Sequence, residues 1–114
     1  MRYLTKAFKS LSDETRLRIL KLLVERDCCV CEVMQALDIS QTRASRNLGI
    51  LEDAGFVKSK RDGLWVVHSV DKEGVKKYSA DLIQIINSAL RDDNVVALDR
   101  ERLNKAARVG PGCV

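Results

Sequence analysis

The stretch RDCCVCEVM sets Cys28, Cys29 and Cys31 within four residues, and the fourth cysteine, Cys113, stands near the far end of the 114-residue chain. In a reducing compartment such a cluster binds metal or reacts more often than it braces a fold. Geometry governs which sulfurs can meet. If the backbone here is extended, Cys29 and Cys31 share one side and Cys28 points away, leaving room for Cys113. If it is helical, Cys28 and Cys31 share a face and Cys29 lies off it. Recruiting Cys113 to a sulfur site costs the entropy of ordering a tail, which favours Cys28 over it. A helix starting just after the cluster lowers thiol pKa and so favours the thiolate. The plainer roles are a Cys28 that only packs in the core and a redox pair at the Cys28-x-x-Cys31 spacing, which lacks the strand–helix setting of a thioredoxin fold. A structural zinc knob fits poorly, because neighbouring Cys28 and Cys29 cannot both reach one tetrahedron. An enzyme is not expected: His68 is the single histidine, and it falls on a hairpin with no nucleophile and pocket beside it.

The elements around the cluster follow from periodicity and capping. A short helix is predicted over Tyr3 to Lys9. Ser12 followed by Asp13 and Glu14 starts a second, running to about Glu25, with Leu17, Leu20, Leu23 and Val24 inward and Arg16, Arg18 and Lys21 outward. Glu32 to Leu37 reads as a short helix, Asp38-Ile39-Ser40 as a turn, and 41–51 as a helix capped by Ser40. Short helix, tight turn and second helix form the helix-turn-helix pattern. In its second helix Ala44, Leu48 and Leu51 face inward, while Thr42, Ser45, Arg46 and Gly49 face out, with Arg43 at the edge. That outer face suits a major groove, where arginine addresses guanine and hydroxyls address bases or phosphates.

Two β-rich runs over 57–70 join at Asp62-Gly63, a hairpin signal that carries Lys58, Lys60 and Arg61 toward its tip. From Lys72 the pattern is helical again to about 91, with Val75, Tyr78, Leu82, Ile85, Ile86 and Ala89 forming a stripe that serves as core or as a dimer seam, the seam being favoured. A last helix is predicted from Val95 to Ala107, and 108–114 reads as a flexible tail around Gly110-Pro111-Gly112. The whole chain, 1–114, reads as one domain, small enough that a partner chain helps complete its core.

Twenty Lys and Arg against sixteen Asp and Glu give a formal charge of +4, and most of the excess lies between residues 41 and 61. Arg43, Arg46, Lys58, Lys60 and Arg61 there face only Glu52 and Asp53. A basic segment of this kind is the footprint of a nucleic-acid face. No run of about 18 apolar residues is present, so a membrane span is excluded, and a cytoplasmic protein is expected.

LSDETRLRILKLL, ISQTRASRNLGILEDAGFV and RDGLWVVHSV together resemble the first long helix, recognition unit and wing of the ArsR/SmtB metalloregulatory repressors, over roughly Phe8 to Val70. The resemblance implies a mainly α, winged helix-turn-helix protein with one β-hairpin, homodimeric through its terminal helices. It implies a repressor that binds operator DNA, with Ser40, Gln41, Thr42, Arg43, Ser45, Arg46, Lys58, Lys60 and Arg61 as candidate contacts. Asn47 and His68 stand where a histidine and a tyrosine are expected, departures that bear on operator sequence and wing packing. CVC at Cys29 and Cys31 is similar to the family's arsenic-sensing signature, but Met34 occupies the position of its usual third cysteine. A three-thiolate site drawn from Cys28, Cys29, Cys31 and Cys113 suits As(III) or Sb(III) as inducer. A disulfide-based redox sensor and a Cd, Pb or Zn sensor are the alternatives. The family's histidine-rich zinc site is not available.

Overall fold

The computed structural model describes residues 1–72 and 77–109, so Val75, Cys113 and the chain beyond Val109 lie outside the described residues. Helix α1 (Arg2–Leu11) closes where Ser12 turns its hydroxyl back to the carbonyl of Phe8, 2.9 Å away. The cap of α2 (Glu14–Glu25) is therefore Asp13, whose carboxylate accepts the N–H of Arg16 at 3.0 Å; the sequence had pointed to Ser12. β1 (Cys28–Cys29) leads into α3 (Val30–Leu37). Asp38 ends α3 in the left-handed region (φ 56°) and so makes the tight turn into α4 (Gln41–Asp53), whose N-cap is Ser40. β2 (Val57–Asp62) and β3 (Trp65–Val70) form the wing, joined by Gly63-Leu64 with Gly63 at φ 62°. This loop lies one residue later than the expected Asp62-Gly63. Helices α5 (Lys77–Ala89) and α6 (Asn94–Lys105) complete the described chain.

The core gathers Ile19, Leu20 and Leu23 of α2 with Val33, Leu48, Leu51 and Phe56, so α2 is the central helix rather than a one-sided surface helix. This reverses one expectation. Arg16, Arg18 and Lys21 turn inward, each met by a polar partner on another helix. Arg16 donates to Asn47 Oδ1 of α4 at 2.9 Å, Arg18 pairs with Asp99 of α6 at 2.8 Å, and Lys21 bonds Asn87 of α5. A buried cation is tolerable only when paired in this way. Of the stripe on α5, Tyr78, Leu82 and Ile86 pack on this core, whereas Ile85 is 61% exposed. The architecture is a winged helix-turn-helix whose sheet has three strands in the order β1-β3-β2, all antiparallel.

Candidate sensor site and nucleic-acid interface

The third strand decides where the cysteines point. β1 pairs with β3 so that Cys28 stands opposite His68 and Cys29 opposite Val67. Because successive strand residues project to opposite faces, Cys28 turns to the side of Val57, His68 and Val70, which is the core. Cys29 turns to the side of Trp65, Val67 and Lys60. Cys28 is fully buried, its S–H reaching only the carbonyl of Arg26 at 3.5 Å, and burial with the nearby Glu32 carboxylate pushes its thiol up to about 12. In this geometry it packs in the core, on the face of the strand opposite Cys29.

Cys29 and Cys31 are brought together, their sulfurs 3.0 Å apart and both buried. Two thiolates held about 2.3 Å from one ion, at angles between square and tetrahedral, stand roughly 3.3–3.8 Å apart. Cys31 is disulfide-bonded in this structure, Cys28 and Cys29 being the free cysteines among the described residues, so Cys29 and Cys31 can share a soft ion only once Cys31 is reduced. Among the described residues no three His, Cys, Asp or Glu side chains are grouped to hold a metal. A third sulfur has to come from elsewhere.

Cys29 is also the N-cap of α3. Its sulfur takes the backbone N–H of Glu32, while its own N–H donates to Glu32 Oε1 at 2.9 Å, a reciprocal capping box. The spacing Cys29-x-x-Glu32 was the available signal, obscured because cysteine is not a usual cap. Glu32 is buried, yet its carboxyl stays below the ordinary range: burial raises it, but the Cys29 amide and thiol, Arg26 at 2.9 Å and Arg108 at 3.3 Å outweigh that. The same carboxylate works against Cys29. Burial first, and the Glu32 charge after it, raise the thiol above its usual value despite the amide at the helix N-terminus, which reverses the expected lowering.

On α4, Gln41, Thr42, Arg43, Ser45, Arg46 and Gly49 are exposed, and a side chain added at Gly49 would meet open space. Ser40 caps the helix by accepting the N–H of Arg43 at 3.2 Å, and the Arg43 guanidinium donates to Thr15 Oγ1 at 2.7 Å, which ties it back to α2. Asn47 is buried, accepting from Arg16 and donating to the carbonyl of Arg43 at 2.9 Å, so this departure from the family pattern serves helix packing and not base contact. Lys58, Lys60 and Arg61 are exposed along β2; Lys58 and Lys60 project from one face and Arg61 from the other.

A helix-turn-helix followed by a basic wing is the architecture of a DNA-binding regulator. The model of the bacterial regulatory protein arsR family matches residues 13–59. The chain is 38% identical over 95 residues to the arsenic resistance transcriptional regulator ArsR2 of Pseudomonas putida, covering 80% of this chain and 82% of that one. It is 40% identical over 73 residues to a cadmium resistance transcriptional regulatory protein CadC homolog of Staphylococcus aureus, covering 63% of this chain but only 60% of the relative's length. A homodimeric winged helix-turn-helix DNA-binding domain from Mycobacterium bovis superposes with a TM-score of 0.67 at 24% identity, over 80% of this chain and 81% of that one. The chain belongs to the arsR family of transcriptional regulators.

Proposed function

We propose that the protein is a homodimeric repressor that leaves its operator when As(III) or Sb(III) is bound by Cys29, Cys31 and Cys113. The observation that carries this reading is the 3.0 Å approach of the Cys31 sulfur of α3 to that of Cys29, which lies on the face of the wing sheet opposite Cys28. Cys113 is five residues beyond Arg108, which is held at Glu32 beside Cys29, and five residues span up to about 17 Å. Three thiolates around one pyramidal centre match trivalent arsenic or antimony. The arsenic regulator among the relatives supports the metalloid, and the cadmium regulator supports a soft ion in general. The disulfide at Cys31, with the free Cys29 sulfur beside it, also favours a second reading, in which thiol oxidation replaces metalloid binding.

DNA contact is assigned to Gln41, Thr42, Ser45 and Arg46 in the major groove, and to Lys58, Lys60 and Arg61 on the backbone, with Ser40 and Arg43 positioning α4. The dimer is assigned to the exposed apolar side chains Tyr3, Leu4 and Phe8 of α1 and Ile85 of α5. The homodimeric Mycobacterium bovis domain supports a homodimer.

The test is the anisotropy of a labelled operator titrated with arsenite, Cd(II) or diamide, using wild type, Cys28→Ala, Cys29→Ser and Cys113→Ser. Arsenite should release wild type and Cys28→Ala alike and fail with the other two. Retained response in Cys113→Ser, or loss in Cys28→Ala, would refute the assigned third sulfur. Release by diamide alone would select the redox reading.

A further inference from the structure

Arg108 joins two parts of the molecule that the cysteine site and the DNA must both use. Its Nε donates to Glu32 Oε1 at 3.3 Å in the first turn of α3, and its Nη1 reaches Asp62 Oδ2 at 3.4 Å at the wing turn. Its guanidinium lies 5.5 Å from the ring centroid of Trp65, the first residue of β3. The backbone just before it is fixed, because Gln35 of α3 bonds both polar groups of Ala107, donating to its carbonyl at 2.7 Å and accepting its N–H at 3.1 Å. One side chain thus spans from the helix capped by Cys29 to the tip of the hairpin.

We infer that Arg108 is the latch that couples ligand binding at the cysteines to the position of the wing. The inference rests on the metalloid reading above. In the ligand-free protein Arg108 holds Asp62 and Trp65 against α3, setting the hairpin where Lys58, Lys60 and Arg61 meet the DNA backbone. A ligand on Cys29 withdraws the sulfur from the Glu32 N–H, and with it the cap that orients the Glu32 carboxylate. Once that carboxylate is no longer oriented, its bond to Arg108 breaks and the guanidinium releases the wing. Ligand and DNA then favour opposite states of one latch, and each weakens the other by the same factor.

Arg108→Ala and Arg108→Lys are compared with wild type for operator affinity with and without arsenite, and for arsenite affinity followed by thiolate–arsenic absorption. Wild type should lose operator affinity by about 5- to 150-fold on arsenite binding. Ligand-free Arg108→Ala should already bind operator as weakly as arsenite-loaded wild type, with less than about 3-fold further loss on adding arsenite. It should bind arsenite at one per chain and at least as tightly as wild type, because the released state is the one arsenite selects; a merely damaged fold would bind it more weakly. Arg108→Lys, which keeps the charge but not the fork, should fall between. An Arg108→Ala protein with wild-type operator affinity and a full arsenite shift overturns the latch while sparing the inducer assignment. Lost arsenite binding in that variant overturns it too, making Arg108 part of the pocket. A wild type whose operator affinity ignores arsenite refutes the inducer assignment itself, and the latch falls with it.

Discussion

Adjacent cysteines with opposite fates follow from strand alternation alone. Cys28 belongs to the core and Cys29 to the sheet's other face, so Cys28→Ala should cost about 1 kcal/mol in urea unfolding by leaving a small cavity. Across the strand from Cys28, His68 is buried with no hydrogen-bond partner for Nδ1, and burial holds its pKa below 6.5, opposed only in part by Glu52. The sign follows from which state takes the proton first. The unfolded chain protonates near pH 6.5 and the folded one only at lower pH, so the stability this group contributes is complete above 6.5 and lost as pH falls below it. Urea midpoints should therefore drop between about pH 7.5 and about pH 5.5, and His68→Gln should flatten that drop. With a single histidine in the chain no other imidazole can mask the effect. An unchanged slope in the variant would place the dependence on other groups.

Between elements, ion pairs do what apolar periodicity does elsewhere. α6 is locked to α2 by Asp99, 1% exposed, which takes two hydrogen bonds from Arg18 at 2.8 and 2.9 Å, while the same guanidinium reaches the last carbonyl of α3 at 3.4 Å. Asp99→Ala strands that cation and should destabilise the protein by about 3 kcal/mol, read as a shift in thermal midpoint. The loss should be smaller in the Arg18→Met, Asp99→Leu double variant. Such pairs explain what was legible in the sequence and what was not. Ala44, Leu48 and Leu51 announced the inward face of α4 because apolar spacing reports burial directly. Arg16, Arg18 and Lys21 looked like an outer face because a cation's type says nothing of a partner 31 to 81 residues away. The two-residue strand β1 was equally silent. Two residues are too few for an alternating pattern to be read from the sequence, and the pairing with β3 is what reveals the strand that separates Cys28 from Cys29.

For the whole molecule, the surface assigned to DNA and the surface assigned to a second copy lie on different elements. The exposed cations of α4 and β2 are those assigned above to DNA; Phe8, 52% exposed, and Ile85 are those assigned to a second copy. Phe8→Glu should shift sedimentation from dimer toward monomer and weaken operator binding, since one copy meets only one half-site. In the intact dimer, Lys60→Ala should weaken binding to all sequences and reduce the slope of log affinity against log salt by about 1 per copy. An Arg46→Ala variant should instead change which operator is preferred in a selection. The junction that links these functions also contains Trp65, the single tryptophan of the chain, on the same sheet face as Cys29 and under the guanidinium of Arg108. The indole is therefore a native optical probe: emission excited near the red edge comes from this one position, so unlabelled protein can be followed there in real time without any added dye.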